Sequence, residues 1–103
     1  MLDNRLTISG KHLFYDYEKI TVTNGVAIGL TASKLTTERK PISVFITVEN
    51  NQIRWRVDDN PTTSEGHLAN PSASFTLEGI GILNSIKFIA TGSDAILRVS
   101  YRR

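Results

Sequence analysis

The chain has 103 residues, no cysteine, and 12 Lys/Arg against 10 Asp/Glu, which gives a formal net charge of +2. This length suits one domain that buries roughly two-thirds of the surface its unfolded chain exposes. The lack of cysteine excludes disulfides, a thiol nucleophile and thiolate-bound zinc. The near balance of charge argues against a dedicated nucleic-acid-binding protein. We therefore expect residues 1–103 to form one globular domain.

The N-terminal residues do not resemble a targeting segment. Asp3 lies at the start of the chain, and no apolar segment follows it as in a secretory signal. No apolar stretch reaches the about 20 residues that a membrane-spanning helix needs. These features predict a protein that is made in the cytoplasm and has no membrane partner.

The first strand-like stretches are short and aromatic. Leu6 to Ile8 alternates in polarity before a turn at Ser9-Gly10, and an aromatic cluster follows it. Alternation lets only part of that cluster point into a core, so at least one ring should remain available for contact. The candidate glycan contacts are Phe14, Tyr15 and Tyr17.

A hairpin is predicted around Asn24-Gly25, because this dipeptide is a strong signal for a type I′ turn. Its strands would be residues 20–22 and 26–30. The Thr-rich stretch 31–40 precedes Pro41, and this composition favours a loop over a helix.

The clearest hairpin pattern spans residues 42–58. Both halves alternate at period two, and Asn50-Asn51 between them suits a two-residue turn. That turn would place apolar side chains opposite one another in the pairs Val48–Ile53, Ile46–Trp55 and Val44–Val57. The same alternation predicts that Trp55 is a core residue.

Residues 59–67 are turn formers and predict a loop. Ser74 to Leu77 then predicts a strand with Phe75 and Leu77 inward. A final hairpin is predicted with Gly92-Ser93 as its turn. It would pair Ala90 with Ala95, Phe88 with Leu97 and Ile86 with Val99.

The opposite face of this final hairpin is mixed. It would place Lys87 across from Arg98, an unfavourable like-charge pair. Ile89 and Ile96 would interrupt the polar face and form a patch that is either packed against the rest of the chain or covered by a partner. With about eight strands at regular spacing, the fold class is all-β, an antiparallel β-sandwich or jelly roll.

No pattern indicates an enzyme or a bound cofactor. His12 and His67 lie far apart without ligand-spaced partners, so no metal site is predicted. Asp58-Asp59 and Glu65 do not match a calcium loop. The serines and threonines lack a nucleophile motif, and the glycines do not form a phosphate-binding loop.

One predicted sheet face carries Arg54 and Arg56, with Phe45 beside them across the hairpin. Such a face can be solvated, can bind a protein, or can contact nucleic acid or a glycan. With the residues of the C-terminal hairpin, the interface candidates are Phe45, Arg54, Arg56, Ile89, Ile96 and Arg98.

The part of the chain from about residue 42 onward resembles small bacteriophage virion proteins. The resemblance lies in an Arg-x-Arg strand (Arg54-Trp55-Arg56), a Pro-Thr loop that ends in Gly66-His67, and Leu77-Glu78-Gly79. A final hairpin closing on Tyr101 completes it. The resemblance implies a β-sandwich accessory protein that decorates a capsid or belongs to a neck or tail, usually as a symmetric oligomer.

The expected function is therefore that of a non-enzymatic virion structural protein, in particular a capsid decoration or cement protein. It would bind the major capsid protein, or neck or tail proteins, through loops and one sheet face. Synthesis would occur in the cytoplasm of a bacterial host. Two alternatives stay open, a carbohydrate-binding module and a small phage-encoded inhibitor of a host factor.

Overall fold

A computed structural model describes residues 14–37 and 40–103 of the chain. The strand predicted at Leu6 to Ile8 and the side chain of His12 lie outside these residues. The elements in chain order are β1 (Phe14–Val22), α1 (Ala32–Leu35), β2 (Ser43–Glu49), β3 (Ile53–Arg56), β4 (His67–Ala69), β5 (Ser74–Glu78), α2 (Ile80–Ser85), β6 (Lys87–Ala90) and β7 (Ala95–Arg102).

The strands form two antiparallel sheets. The four-stranded sheet has the order β1-β7-β2-β5, and the three-stranded sheet has the order β4-β3-β6. The prediction of a β-rich fold with antiparallel sheets is confirmed. The described residues form seven strands rather than eight.

The hairpin predicted over residues 42–58 is wrong in its pairing. β2 pairs with β5 and β7, whereas β3 pairs with β4 and β6. Asn50, at a φ of 76°, lies in the turn that carries the chain from one sheet to the other. Of the residues predicted to face inward, Ile46 and Ile53 are fully buried, whereas Trp55 and Val57 are half-buried. Their apolar faces meet across the core instead of side by side.

The predicted C-terminal hairpin is also wrong, because its two strands lie in different sheets. β6 lies in the three-stranded sheet, while β7 lies between β1 and β2 in the other. Phe88 and Leu97 are both fully buried, but in opposite layers. Lys87 is therefore opposite Arg56 and not Arg98, which has Lys19 and Thr47 as its neighbours.

A turn forms at Asn24-Gly25, but it is not the predicted type I′ turn, because Asn24 lacks the positive φ which that type needs, and the hairpin does not form. Val26 N–H donates to the Thr23 carbonyl at 3.1 Å, with Gly25 at a φ of 75°. The chain then runs along β6 instead of returning along β1. Ile28 and Phe88 exchange two backbone hydrogen bonds of 2.8 and 2.7 Å. Residues 24–28 thus carry the chain from the four-stranded sheet, which contains β1, to the edge of the three-stranded sheet at β6.

Neither of the two short helices was predicted. Within the predicted loop 31–40, residues 32–35 form α1, and Leu35 is buried. α2 follows β5 and was not predicted. Gly79 is its N-cap residue, at a φ of 99° that a side chain disfavours, and the Gly79 N–H donates to the Ile42 carbonyl at 2.8 Å. Residues 59–66 are irregular, as predicted.

The core lies between the two sheets, and β7 contributes most to it. Every inward side chain of β7 is fully buried. These residues are Ala95, Leu97, Val99 and Tyr101. β7 bonds to strands on both sides, and its inner side chains belong to a core cluster that contains residues of both sheets.

Shortening a side chain of β7 should therefore lower the free energy of unfolding more on the inner face of the strand than on its outer face. We expect Leu97→Ala to lower the free energy of unfolding by about 2–5 kcal/mol, because it leaves a cavity in the core. The adjacent, half-buried Ile96→Ala is the matched control and should cost about 1 kcal/mol or less. Urea unfolding followed by the fluorescence of Trp55, the one tryptophan, measures both. Equal losses would contradict the assigned faces.

Candidate binding face

The outer face of the four-stranded sheet carries a row of side chains that the register brings together. Tyr17 pairs with Ser100, Ser100 with Phe45, and Phe45 with Thr76. Tyr17 is 49% exposed and Phe45 is 40% exposed. Neighbouring strands lie about 4.8 Å apart, so the backbones of Tyr17 and Phe45 are separated by roughly 10 Å. The small Ser100 between them leaves space above the sheet.

A basic row lies beside this aromatic row. Lys19 pairs with Arg98, and Arg98 with Thr47. The Arg98 guanidinium donates to the Tyr17 hydroxyl at 3.0 Å and to both Glu49 carboxylate oxygens at 3.2 and 3.3 Å. The bonds to Tyr17 and then to Glu49 raise the pKa of Arg98 further above neutrality. Arg98 thus orients the Tyr17 ring and stays charged.

On the other side of the aromatic row, Phe14 pairs with Arg102 beyond an irregularity in β1. Phe14 is 40% exposed. Arg102 donates to the Ser43 hydroxyl at 3.1 Å. Three exposed rings on one face of the sheet therefore lie among three basic side chains. We call this surface the aromatic face: Phe14, Tyr17, Lys19, Phe45, Ile96, Arg98, Ser100 and Arg102.

The aromatic face brings together residues that were predicted from the sequence to belong to two separate groups. Phe45, Ile96 and Arg98 were expected at a protein interface, and Phe14 and Tyr17 were expected to contact a glycan. Sequence patterns give no sign that β7 lies between β1 and β2, and this placement alone puts both groups on one face.

Tyr15, the third predicted glycan contact, is half-buried and packs against the core. Its hydroxyl is buried and has no hydrogen-bond partner among the described residues. The Arg103 guanidinium lies 3.6 Å from the centre of its ring. The structure thus separates Tyr15 from the more exposed Phe14 and Tyr17.

The other interface candidates lie in the three-stranded sheet, on the far side of the molecule from Phe45. The predicted face joining Phe45 with Arg54 and Arg56 is therefore wrong, because β2 and β3 belong to different sheets. Ile89 is 5% exposed and pairs with Arg54. It forms no patch with Ile96, since the two strands lie in different layers.

The arginines of β3 are bonded to their own chain. Arg54 donates to the Gly66 carbonyl at 2.8 Å and to the Thr63 carbonyl at 3.3 Å. Gly66 has a φ of 134°, and a Cβ there would lie 3.1 Å from the Arg54 Cβ. Both the backbone conformation and the space therefore require glycine, and Arg54 holds the loop closed.

Arg56 forms a two-point ion pair with Asp58, at 3.0 and 2.7 Å. The hydrogen bonds from Arg56 lower the pKa of Asp58 below its ordinary value. Lys87 lies opposite Arg56. Because Asp58 binds the Arg56 guanidinium, the positive charge that Arg56 presents to Lys87 is partly neutralised.

Trp55, predicted as core, is half-buried at the side of the sandwich where β4 and β5 end the two sheets. Its ring stacks on Phe75 at 5.6 Å and contacts His67 at 4.5 Å between ring centres. The Trp55–Phe75 contact joins the two sheets. His67 thus belongs to an aromatic packing contact that sequence spacing did not reveal.

Within the described ranges, no group of three or more His, Cys, Asp or Glu residues is close enough to hold a metal ion. In the same part of the chain, no helix has the length and hydropathy needed to cross a bilayer.

Comparisons with known proteins reveal a similarity of fold. No protein-family model matches the sequence, and no curated protein matches it. The structure is similar to a de novo designed double-stranded β-helix, with a TM-score of 0.52 and 16% identity over 85% of this chain and 100% of that chain. This similarity describes the fold alone.

A mutant of CooA from Carboxydothermus hydrogenoformans matches 80% of this chain at 13% identity, with a TM-score of 0.42. The match covers 32% of the CooA chain, so the present chain spans about a third of its length.

The loop contact of Arg54 yields a prediction. We expect Arg54→Lys to speed amide exchange of residues 62–66 by about tenfold, because lysine cannot reproduce the two directed bonds to the loop carbonyls. Arg56→Lys is the matched control, since its partner Asp58 is an exposed carboxylate. Hydrogen–deuterium exchange followed by mass spectrometry measures both. Equal exchange in the two variants would contradict the role assigned to Arg54.

Proposed function

We propose that the chain is a non-enzymatic structural protein of a bacteriophage particle. In this proposal it is an accessory protein that decorates the capsid shell and docks on it through the aromatic face. Synthesis takes place in the cytoplasm of the bacterial host, and the protein then becomes part of the virion.

The observation that carries this proposal is the composition of the aromatic face. Aromatic residues and arginine are enriched in the centres of protein interfaces, and exposed apolar patches mark sites of association. Tyr17 and Phe45 are exposed on a rigid sheet, and Arg98 holds the Tyr17 ring in place. A rigid ring loses little conformational freedom on binding, which favours affinity.

The residues that resemble virion proteins have structural roles that fit this proposal. Arg54 and Gly66 close the Pro-Thr loop. His67 packs on Trp55, and Tyr101 donates a partly buried hydrogen bond to Glu18. These residues build the scaffold, so the binding specificity of each such protein can be carried by its outer faces.

We also propose that the sandwich is a jelly roll. The four-stranded sheet has the order β1-β7-β2-β5. Residues 24–28 bond to the free side of β6 and take the place of a fourth strand beside β6, β3 and β4. Two sheets of four strands with this connectivity are the arrangement found in jelly-roll capsid and lectin domains.

Docking through the aromatic face predicts a loss of particle binding on ring removal. We expect the Tyr17→Ala/Phe45→Ala double variant to associate with purified particles at least about 100-fold more weakly, as expected for two interface hot spots. The assay adds tagged protein to particles that lack the native copy and measures the amount that sediments with them.

The matched control is Val26→Ala/Leu68→Ala, which removes two exposed apolar side chains away from the aromatic face. It should sediment with particles like the wild type. A wild-type protein that stays entirely in the soluble lysate would refute the virion assignment. Particle binding that survives in the double variant would refute only the choice of face.

A carbohydrate-binding module is the second candidate, and one observation favours it. Tyr17 and Phe45 flank Ser100 on a sheet face that also carries the hydroxyls of Thr47 and Thr76. Aromatic rings bordered by hydroxyl and guanidinium groups can bind sugars. Binding to a glycan array by the wild type, lost in the Tyr17→Ala/Phe45→Ala variant, together with absence from particles, would select this function instead.

A further inference from the structure

The two sheets have four edges, and three of them are protected against pairing with another chain. The edge of β1 has an irregular register between Phe14 and Asp16. Lys34 of α1 binds the Asp16 carboxylate at 3.0 and 3.1 Å, and these hydrogen bonds lower the pKa of Asp16. Glu18 accepts hydrogen bonds from Thr31. Irregular, charged strands of this kind discourage pairing.

The edges of the three-stranded sheet are protected by different means. β6 is covered by residues 24–28, through the Ile28–Phe88 bonds and the Gly25 N–H to the Ala90 carbonyl at 3.2 Å. β4 has only three residues. Very short or covered edge strands are two common ways of preventing edge-to-edge association.

β5 is the edge without such protection. It pairs with β2 on one side, and no strand of residues 14–37 and 40–103 pairs with its other side. Its sequence, Ser-Phe-Thr-Leu-Glu, contains no proline and no lysine, and its register with β2 is regular. Ser74, Thr76 and Glu78 are exposed.

The register shows which backbone groups of β5 are unused. Gly79 N–H bonds to the Ile42 carbonyl. Because bonding alternates along an antiparallel pair, Leu77 and Phe75 also direct their backbone groups toward Val44 and Ile46 of β2. The N–H and C=O groups of Ser74, Thr76 and Glu78 therefore point away from the sheet.

We infer that β5 pairs antiparallel with β5 of a second copy of this chain, about a two-fold axis at Thr76. Thr76 would lie opposite the partner's Thr76, and Ser74 opposite the partner's Glu78. Phe75 would lie opposite the partner's Leu77. Several registers would place the outward N–H and C=O groups of the two strands opposite one another. This register is the one in which all five residues of β5 are paired.

The side chains are complementary in this register. Glu78 meets the hydroxyl of the partner's Ser74 and not a second carboxylate, so no like charges face each other. The half-exposed Phe75 meets leucine on the inner face of the joined sheet. Such a contact is isologous, so it closes as a dimer and does not propagate into a filament.

The paired sheets would be continuous across the axis, with both outer faces on the same side. Two aromatic faces would then lie side by side, which doubles the surface available for docking. The pairing itself rests on the edge of β5 and goes beyond the proposed function. It stands whether the aromatic face binds a shell protein or a glycan.

Charge substitution at the axis tests the pairing. Thr76→Lys and Thr76→Glu each place two like charges opposite one another, while their equimolar mixture places opposite charges there. Analytical ultracentrifugation measures the dimer for the wild type, each variant and the mixture. A five-residue strand pair is smaller than a standard interface, so we expect a dissociation constant on the order of 10 μM to 1 mM for the wild type.

Each single variant should dimerise at least about tenfold more weakly, and the mixture should recover a heterodimer that native mass spectrometry identifies. Thr21→Lys adds a charge to an exposed position of β1 and is the matched control, with dimerisation unchanged. Circular dichroism verifies that each variant is folded. A monomeric wild type, single variants that dimerise like the wild type, or a mixture without heterodimer would each overturn the pairing.

Discussion

The position of β7 between β1 and β2 is the constraint on which the rest of the molecule depends. Its inner side chains are fully buried, so the strand cannot shift by one residue without moving charged side chains into the core. Its two neighbours are then held in register by backbone bonds along nearly their whole length. In a chain without disulfides, this packing is the source of rigidity.

The same constraint builds the outer surface. Since inner and outer residues alternate, burial of Leu97 and Val99 directs Arg98 and Ser100 outward. Arg98 then reaches Tyr17 on one neighbour and Glu49 on the other. Ser100 provides the gap between Tyr17 and Phe45. The aromatic face is thus a consequence of core packing and needs no loop to define it.

Sequence periodicity predicted which side chains point inward, but not which strands are neighbours. Ile46 and Ile53, or Phe88 and Leu97, satisfy the same alternation whether their strands lie side by side or face each other across a core. The choice depends on how many other strands compete for pairing, and that information is non-local. Single residues of the aromatic face, such as Tyr17 and Phe45, were predictable from the sequence. That they lie close together could not be predicted, because it depends on the strand order.

Nuclear Overhauser effects between backbone protons of the isotope-labelled protein test this strand order most directly. We expect contacts across the two ladders that flank β7, Tyr17 with Ser100 and Ser100 with Phe45. We also expect Phe88 and Leu97 to show side-chain contacts through the core without backbone contacts. Backbone contacts of Phe88 with Leu97 and of Ile46 with Trp55, with none between Phe45 and Ser100, would contradict the two-sheet arrangement and with it the aromatic face.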